Sequence, residues 1–353
     1  MRKKHFLKQI STLRNKIKTN IVAKAILVSF LLELFFLAIL PGIIIGGMGL
    51  FQGKVAPFSS NPPNYVLPLP ETISVYRHKT STVEEIPFED YIKGVVAGEM
   101  PSSFELEALK AQSVAARTYS FSKVIRSGDS GFPTAHPQAP ICDDTHCQVY
   151  RDTEELQALK GQAWMEDGWK KISKAVDSTK GQLMYYKGEL VEQPLFHSSS
   201  GGKTENSEDV FASSYPYLKS VSSPYEEGAT HQDETKSFST NDFVYLLNLK
   251  CSDRYLALPI EKISISAKSE GGRVEEIMIN DTAYTGREVR EALGLSSANF
   301  EVDHNKSDAS VTFTTDGYGH GVGMSQYGAN GMAKRGSDYK EILQHYYQGT
   351  AIY

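Results

Sequence analysis

The sequence predicts an α+β protein, with a single transmembrane helix near its N-terminus and an ectodomain of mixed helices and antiparallel strands. Three observations support this class. One apolar run, Ala25–Phe51, exceeds the ~20 residues that cross a bilayer. Later apolar residues recur with helical spacing in some segments and with alternating spacing in others. These segments do not form regular βαβ units, and for the ectodomain we expect two lobes around a cleft.

The N-terminal region has the features of a membrane anchor. Residues 1–24 contain eight Lys or Arg and no acid, so we expect a basic cytoplasmic tail. The apolar run at 25–51 is too long for the core of a cleaved signal peptide, and its one charge is Glu33. We expect Glu33 to be protonated or paired with a partner in a helix contact, and a functional role within the membrane is the alternative. The chain beyond the span would then be extracytoplasmic.

The predicted extracytoplasmic part begins with a linker. Residues 52–70 are rich in Pro, Ser and Asn, which is typical of a semi-extended spacer. Residues 71–353 form the predicted extracytoplasmic domain, which we expect to be catalytic, with a smaller inserted lobe at about 225–305. The net charge of −5 gives no reason to expect nucleic-acid binding.

The first elements of this domain follow in order from their spacing. Residues 71–88 alternate apolar and polar positions and predict two short strands. Helical spacing comes next, with Pro87 suited to a first turn. Ser102 is the predicted N-cap of a second helix that ends near Gly128, and Glu105 would complete a capping box. The apolar stripe of the first helix consists of Phe88, Tyr91, Ile92, Val95 and Val96.

Downstream, helices and hairpins alternate with loops. A loop is expected at residues 129–149, and hairpins should turn at Lys187-Gly188 and at Gly271-Gly272. A glycine-rich loop near residue 320 separates the last predicted strand from the last predicted helix. Further helices are expected at 161–178, 242–250 and 285–295, and a further strand is expected at 194–201.

Glu99 lies eleven residues after Phe88, about three helical turns, and so continues the apolar stripe. We therefore expect its carboxyl group to be partly buried, with a raised pKa that keeps it protonated near neutral pH. A protonated carboxyl in a cleft can protonate a glycosidic oxygen. Glu105 and Glu107 lie in the first turn of the next helix and are expected to be solvated. Periodicity alone favours the alternative, in which Glu99 pairs with a Lys or Arg for structure.

Two basic residues of the second helix are candidate substrate-binding residues. Lys110 and Arg117 are seven residues apart, which places them on one face of the helix. Such a pair could bind an anionic or hydroxyl-rich substrate. It could equally be a salt-bridged or solvated face.

A candidate metal site lies within a dozen residues. His136, Cys142, His146 and Cys147 have the composition of a tetrahedral Cys2His2 zinc site, although their spacing is not that of a usual zinc finger. Because all four would be protein ligands, the zinc would be structural. The alternative is a disulfide between Cys142 and Cys147 in an oxidising compartment. The two nearby histidines favour zinc.

Two glycine-containing segments are candidate parts of the cleft. FHSSSGG lacks the G-x-S-x-G nucleophile motif, so backbone and hydroxyl contacts to a ligand are expected there. GYGHGVGMSQYG lacks the G-K-[ST] ending of a phosphate-binding loop, which argues against nucleotide binding. Its glycines would bring His320 close to a ligand, and Ser325 and Gln326 are further candidate substrate-binding residues.

Five segments, in order along the chain, resemble the stage II sporulation protein D family of peptidoglycan lytic transglycosylases. The first segment is the most specific, and the resemblance covers most of residues 70–350. The segments are DYIKGVVAGEMPSSFELEALKAQSVAARTYS, CDDTHCQVY, HSSSGGKTENSEDVF, YPYLKSV and GYGHGVGMSQYGANGMA.

This resemblance implies an activity and partners. Such an enzyme would act in endospore-forming bacteria during engulfment, at the sporulation septum. It would cleave the β-1,4 bond between N-acetylmuramic acid and N-acetylglucosamine in glycan strands that lack stem peptides. Its partners would be peptidoglycan strands, the membrane, the sporulation amidase and a membrane-anchoring protein of the same complex. A water-using muramidase and a non-catalytic glycan-binding scaffold are the alternatives.

The resemblance also implies residue roles. The catalytic acid of the family falls on Glu99, functionally needed basic positions fall on Lys110 and Arg117, and Tyr217 is a weaker correspondence. Some members have zinc ligands around residues 136–147. A lytic transglycosylase needs one carboxylate whereas a hydrolase normally needs two, and the sequence shows no second well-placed one. We expect the two basic residues to contact substrate, since a cation close to Glu99 would lower its pKa.

Overall fold

The computed structural model of the protein describes residues 68–211 and 213–353. The expected basic tail, the transmembrane helix and most of the linker lie outside these residues. Within the described ranges, no helix is both long and apolar enough to cross a membrane. The described chain mixes helices with mainly antiparallel strands, which confirms that part of the predicted fold class.

The chain begins with the two predicted strands and the helix that follows them. Strand β1 (Thr72–Arg77) pairs antiparallel with β2 (Thr82–Pro87), and also parallel with the short β3 (Ile141–Cys142), which interrupts the predicted loop. Helix α1 (Phe88–Glu99) starts directly after β2, with acidic residues in its first turn and the predicted stripe buried. It ends at Glu99, because Pro101 favours an extended conformation for the residue before it, Met100.

The predicted capping box of the second helix is wrong. Helix α2 (Leu106–Ser130) has Glu105 at its N-cap position, without a side-chain cap. The Oγ of Ser102 instead accepts a hydrogen bond from the indole of Trp164 at 2.8 Å. The backbone N–H of Glu105 donates to the side-chain oxygen of Asn330 at 2.8 Å, so a distant residue satisfies this end of the helix.

The next elements complete one side of the first lobe. A helix that the sequence did not predict, α3, begins with a capping box between Asp152 and Glu155. The predicted hairpin turn is present, since Lys187 and Gly188 both have positive φ, as a two-residue type I′ turn requires. The elements are α3 (Thr153–Lys160), α4 (Gln162–Ser178), β4 (Met184–Tyr186), β5 (Glu189–Leu190), β6 (Phe196–His197) and α5 (Ser207–Val210).

A second lobe, residues 234–315, contains two three-stranded antiparallel sheets, ordered β10-β9-β8 and β11-β12-β7. Its apolar side chains form their own cluster between Phe243 and Phe313. This lobe overlaps the expected inserted lobe at about 225–305, whose bounds stay a prediction. The elements are β7 (Glu234–Ser239), α6 (Thr240–Lys250), β8 (Ile263–Lys268), β9 (Val274–Ile279), β10 (Thr282–Thr285), α7 (Gly286–Leu293), β11 (Phe300–Asn305) and β12 (Ser310–Thr315).

The chain then returns to the first lobe through the glycine-rich loop. Gly319, Gly321 and Gly323 all have positive φ, and a Cβ at Gly323 would lie 2.0 Å from the carbonyl oxygen of Leu195. This close approach holds the loop against Leu195, the residue directly before β6. The last elements are β13 (Met324–Ser325), which pairs parallel with β6, α8 (Gln326–Lys334), α9 (Tyr339–Tyr346) and β14 (Thr350–Ile352), which pairs with β4.

Candidate functional site

Glu99 lines a groove with a volume of about 670 Å³. Several separate parts of the chain contribute the other walls, among them the segment 145–149, the segment 194–198, the glycine-rich loop, and Arg290 on α7. The first lobe therefore supplies the acid, and the second lobe supplies a basic side chain on the same groove.

The Glu99 carboxyl is held by the backbone of a neighbouring loop. The N–H of Val149 donates to Oε1 of Glu99 at 2.6 Å. This contact requires a close approach, since a Cβ on Gly98 would lie 2.5 Å from the carbonyl oxygen of Val149. Oε2 of Glu99 makes no hydrogen bond within the described chain, so it is the oxygen available to a substrate.

Burial raises the pKa of Glu99 to about 7, whereas the Val149 N–H and the charge of Arg151 both act to lower it. No ion pair joins Glu99 to a Lys or Arg within the described residues. The alternative of a structural salt bridge is therefore wrong. A carboxyl with this pKa is about half protonated at neutral pH and can both give and take a proton.

The four predicted metal ligands lie together, with their ligand atoms all within 4.8 Å of one another. Nε2 of His136 lies 3.3 Å from Nδ1 of His146 and 3.3 Å from Sγ of Cys147. Nδ1 of His146 lies 3.5 Å from Sγ of Cys147 and 4.0 Å from Sγ of Cys142. The edges of a tetrahedral zinc site with these donors measure about 3.3–3.8 Å. The three distances among His136, His146 and Cys147 agree with these edges, whereas the distance to Sγ of Cys142 is slightly longer. Residues of this kind at this spacing suit a zinc ion.

Other features of the cluster also suit a metal. Nδ1 of His136 bonds the carbonyl oxygen of Ala139 at 2.8 Å, which directs Nε2 toward the cluster, as in many metal-bound histidines. Cys142 and Cys147 are both free thiols, so the structure does not contain the alternative disulfide. His146 and Cys147 also line the groove. The loop that carries them continues to Val149, which holds Glu99.

Two histidines line the groove close to each other, with ring centroids 5.7 Å apart. Nδ1 of His320 accepts the N–H of Val322 at 3.0 Å, and burial, followed by the charges of Arg273 and Arg290, lowers its pKa to about 3. Burial also lowers the pKa of His197, whose Nδ1 donates to the carbonyl oxygen of Val322 at 3.2 Å. Both rings are therefore neutral near pH 7 and suited to hydrogen bonds with uncharged ligand groups.

Two buried polar atoms at this part of the groove have no hydrogen-bond partner within the described residues. They are Nε2 of His197 and Nε2 of Gln326. Both residues line the groove. Buried polar atoms are usually paired, so one acceptor and one donor remain available for a ligand here.

Comparisons with known proteins identify the family. Residues 76–186 match the family described as stage II sporulation protein (SpoIID). The chain is 42% identical to stage II sporulation protein D of Bacillus subtilis over 80% of this chain and 79% of the relative. The chain belongs to the stage II sporulation protein D family. A similar protein of Bacillus amyloliquefaciens is 40% identical over the same shares of both chains. The amidase enhancer of B. subtilis is 31% identical over 74% of this chain and 40% of the relative.

The family match contains Glu99 and all four candidate metal ligands, but not the whole groove. His320 and Gln326 lie beyond residue 186 and reach the groove from the glycine-rich loop and from α8. These two of the predicted substrate-binding residues therefore line the same groove as Glu99.

The basic residues implied by the family resemblance do not line this groove. Arg117 is fully buried, and its guanidinium donates to both carboxylate oxygens of Glu89, at 2.9 and 2.8 Å. Lys110 pairs with Glu107 at 2.6 Å and lies over the ring of Tyr339. The sequence suggested that both side chains contact a substrate. The structure does not agree with such a contact in this groove.

Tyr217 and Ser325 also have structural contacts instead of places in the groove. Tyr217 is buried, and its hydroxyl accepts two backbone N–H groups of the segment 192–193, each at 3.2 Å. Ser325 is fully buried; it caps α8 and donates to the carboxylate of Glu226. Neither hydroxyl lines the groove, so the sequence-based assignment of both to substrate binding does not agree with the structure.

The groove also contains residues that were not predicted as site residues, among them His197, Phe211, Arg290 and Tyr318. For two of them, the neighbouring sequence indicated a position in the ligand-binding site. His197 precedes the serine–glycine run and Tyr318 lies between two glycines, in segments already expected to contact a ligand. The sequence around Arg290 gave no such indication, because Arg290 lies in an ordinary amphipathic helix of the second lobe.

Proposed function

We propose that this chain is a membrane-anchored lytic transglycosylase that cleaves the β-1,4 bond between N-acetylmuramic acid and N-acetylglucosamine in denuded glycan strands. One observation carries the proposal. Among the described residues that line the groove, Glu99 is the only carboxylate, and its pKa is about 7. A single acid of this kind fits a transglycosylase better than a hydrolase, which normally uses two carboxylates.

In the proposed reaction, protonated Glu99 gives its proton to the glycosidic oxygen while the bond from that oxygen to C1 of the muramic residue breaks. The Glu99 carboxylate then accepts the proton of the 6-hydroxyl of the same sugar as O6 attacks C1. The N-acetylglucosamine leaves with a free 4-hydroxyl, and the muramic residue becomes a 1,6-anhydro sugar. Glu99 ends protonated, and no water is consumed.

The remaining groove residues supply binding and orientation in this proposal. Neutral His197, His320 and Gln326 offer hydrogen bonds to hydroxyl and acetamido groups. Phe211 and the exposed ring of Tyr318 supply apolar faces against which a sugar ring can pack. The Val149 N–H fixes the carboxyl so that the same oxygen serves both proton transfers.

Product analysis tests the proposal directly. The full-length protein in detergent is incubated with denuded glycan strands, and the new ends are identified by mass spectrometry. We expect 1,6-anhydro ends. Reducing ends, each heavier by one water, would show a muramidase instead. Binding of strands without any new ends would show a glycan-binding scaffold.

The pH dependence of the reaction should follow Glu99. The acid form is required for the first step, so kcat/KM should be high below pH 7 and fall as pH rises through about 7. His320, with a pKa of about 3, stays neutral over this range. Initial rates between pH 5 and 9 measure the profile, and a rate independent of pH up to 9 would contradict the assignment of Glu99 as the acid.

We also propose that His136, Cys142, His146 and Cys147 bind one structural zinc ion. Bound zinc would supply rigidity to the loop that ends at Val149, and we assign it no part in proton transfer. Elemental analysis of protein purified without chelator should give about one zinc per chain. Cys147→Ser should lower the zinc content severalfold and lower the melting temperature.

Cys251→Ser is the matched control for the zinc prediction. Cys251 is a buried thiol of the second lobe, so this variant should keep its zinc. A zinc-free wild-type protein with a Cys142–Cys147 disulfide in peptide mass mapping would contradict the zinc proposal and favour the disulfide.

The cellular setting is proposed from the relatives. The B. subtilis relatives are named for sporulation and for enhancing an amidase, which supports a role at the cell wall beside an amidase. We propose a single-pass protein with a cytoplasmic N-terminus, located at the sporulation septum during engulfment, with the sporulation amidase and a membrane-anchoring protein as partners. Localisation of a fluorescent fusion, and co-purification from sporulating cells, test these points.

A further inference from the structure

Arg290 occupies a junction between two cavities. It lines the groove that contains Glu99 and also an adjacent cavity of about 610 Å³ on the side of the second lobe. Phe211, Gly319 and His320 are shared by both cavities as well. The two cavities therefore meet at Arg290, and a chain-like ligand bound at Glu99 can continue past this side chain.

The charge of Arg290 is only partly compensated within the described protein, because Glu291 acts on it at a distance and does not pair with it directly. Its side chain is half-buried, and its one hydrogen bond runs from Nε to the carbonyl oxygen of Leu295 at 3.4 Å. No carboxylate of the described residues forms an ion pair with it. Burial, and next the charge of Arg273, lower the pKa of Arg290. A half-buried cation without a partner destabilises a fold, so a ligand is the expected source of its counter-charge.

Unlike Arg290, the two neighbouring arginines each pair with a carboxylate. Arg287, one turn earlier on α7, pairs with Glu291 at 2.9 Å. Arg273 is buried and pairs with Glu205 at 3.3 Å. Glu291, which follows Arg290 directly in sequence, is engaged by Arg287 and by Lys250 at 2.7 Å. Glu205 and Glu291 thus have other partners, and within the described residues no carboxylate pairs with the guanidinium of Arg290, which can bind an anion.

The proposed substrate carries one kind of anionic group. The sugars of a glycan strand are neutral except for the lactyl ether of muramic acid, which ends in a carboxylate when no stem peptide is attached. A guanidinium binds a carboxylate through two parallel hydrogen bonds. A stem peptide turns this carboxylate into an amide, which has no charge and only one acceptor oxygen.

We infer that Arg290 binds the free lactyl carboxylate of a muramic residue and so makes the enzyme select strands without stem peptides. This inference rests on the proposed function. Arg290 is a specificity-determining residue in it, whereas the chemistry stays with Glu99.

Binding measurements with a Glu99→Gln protein test the inference without turnover. The probes are denuded strands and the same strands with their carboxylates converted to methylamides. We expect Arg290→Gln to weaken binding of the carboxylate strands about ten- to hundredfold, to the level of the amidated strands. Binding of the amidated strands should not change. Arg335→Gln, which removes one exposed arginine outside the groove, should behave as the parent protein.

Several outcomes would overturn the inference. Equal affinity of the parent protein for both kinds of strand, or an unchanged preference after Arg290→Gln, would each do so. A lower melting temperature of Arg290→Gln with unchanged affinities would assign Arg290 a structural role. Wild-type product analysis in parallel separates the two proposals, because missing anhydro ends count against the transglycosylase and leave the binding comparison intact.

Discussion

Glu99→Gln is expected to lower the rate of release of 1,6-anhydro ends by about a thousandfold or more. General acid or base catalysis typically contributes a hundredfold to ten-thousandfold, and here one carboxyl serves in both roles. Glutamine keeps an oxygen that can accept the Val149 N–H, so the loop should keep its position. It has no proton of suitable acidity to give. Initial rates of product-end formation, measured by mass spectrometry, check this prediction.

The same substitution should stabilise the protein at alkaline pH. The pKa of Glu99 is about 7 in the folded state and about 4.5 when unfolded, so the folded state binds more protons between these values. The free energy of unfolding of the wild type therefore falls as pH rises from about 4.5 to 7, by up to about 3 kcal/mol. Glu99→Gln removes this loss and should be more stable at pH 8 by about 2–3 kcal/mol, but not at pH 4.

Glu105→Gln is the matched control for both measurements. Glu105 is an exposed carboxylate at the start of α2, so the same chemical change there should leave the rate and the stability near those of the wild type. A Glu99→Gln protein that still forms anhydro ends at the wild-type rate would remove Glu99 from the mechanism. Loss of activity together with loss of folding would instead be a structural effect, which the stability measurement detects.

Features set by short stretches of chain could be predicted from the sequence. The phase of α1 depends on neighbouring residues, so its apolar stripe correctly placed Glu99 at a partly buried position. The four metal ligands lie within a dozen residues, and the structure brings their donor atoms together. In the glycine-rich loop, local composition indicated the close backbone approach that places His320 in the groove.

Features set by distant parts of the chain could not be predicted. Helical spacing showed that Lys110 and Arg117 share a face of α2, but not that Glu89 on α1 would cover Arg117. The capping box at Ser102 failed because side chains of other helices bond at that helix end instead. Arg290 reaches the groove of Glu99 only after the second lobe has folded, and no local pattern marks it.

Arg117→Met is expected to lower the free energy of unfolding by about 3–5 kcal/mol. The substitution leaves the Glu89 carboxylate without its cation in a partly buried place. It also removes donors to the carbonyl oxygens of Val176 and Gln182, each at 3.3 Å. These bonds join α2 to α1 and α4, so their loss should loosen the packing of three helices. Urea denaturation followed by circular dichroism measures the change.

A double variant separates the structural role of Arg117 from substrate contact. Arg117→Met with Glu89→Gln leaves neither charge unpaired, so its destabilisation should be smaller than the sum of the two single changes. Arg335→Met breaks an exposed pair with Glu227 and should change the unfolding midpoint little. For the folded fraction of Arg117→Met, KM should match the wild type. A severalfold higher KM at wild-type stability would instead show that Arg117 contacts the substrate.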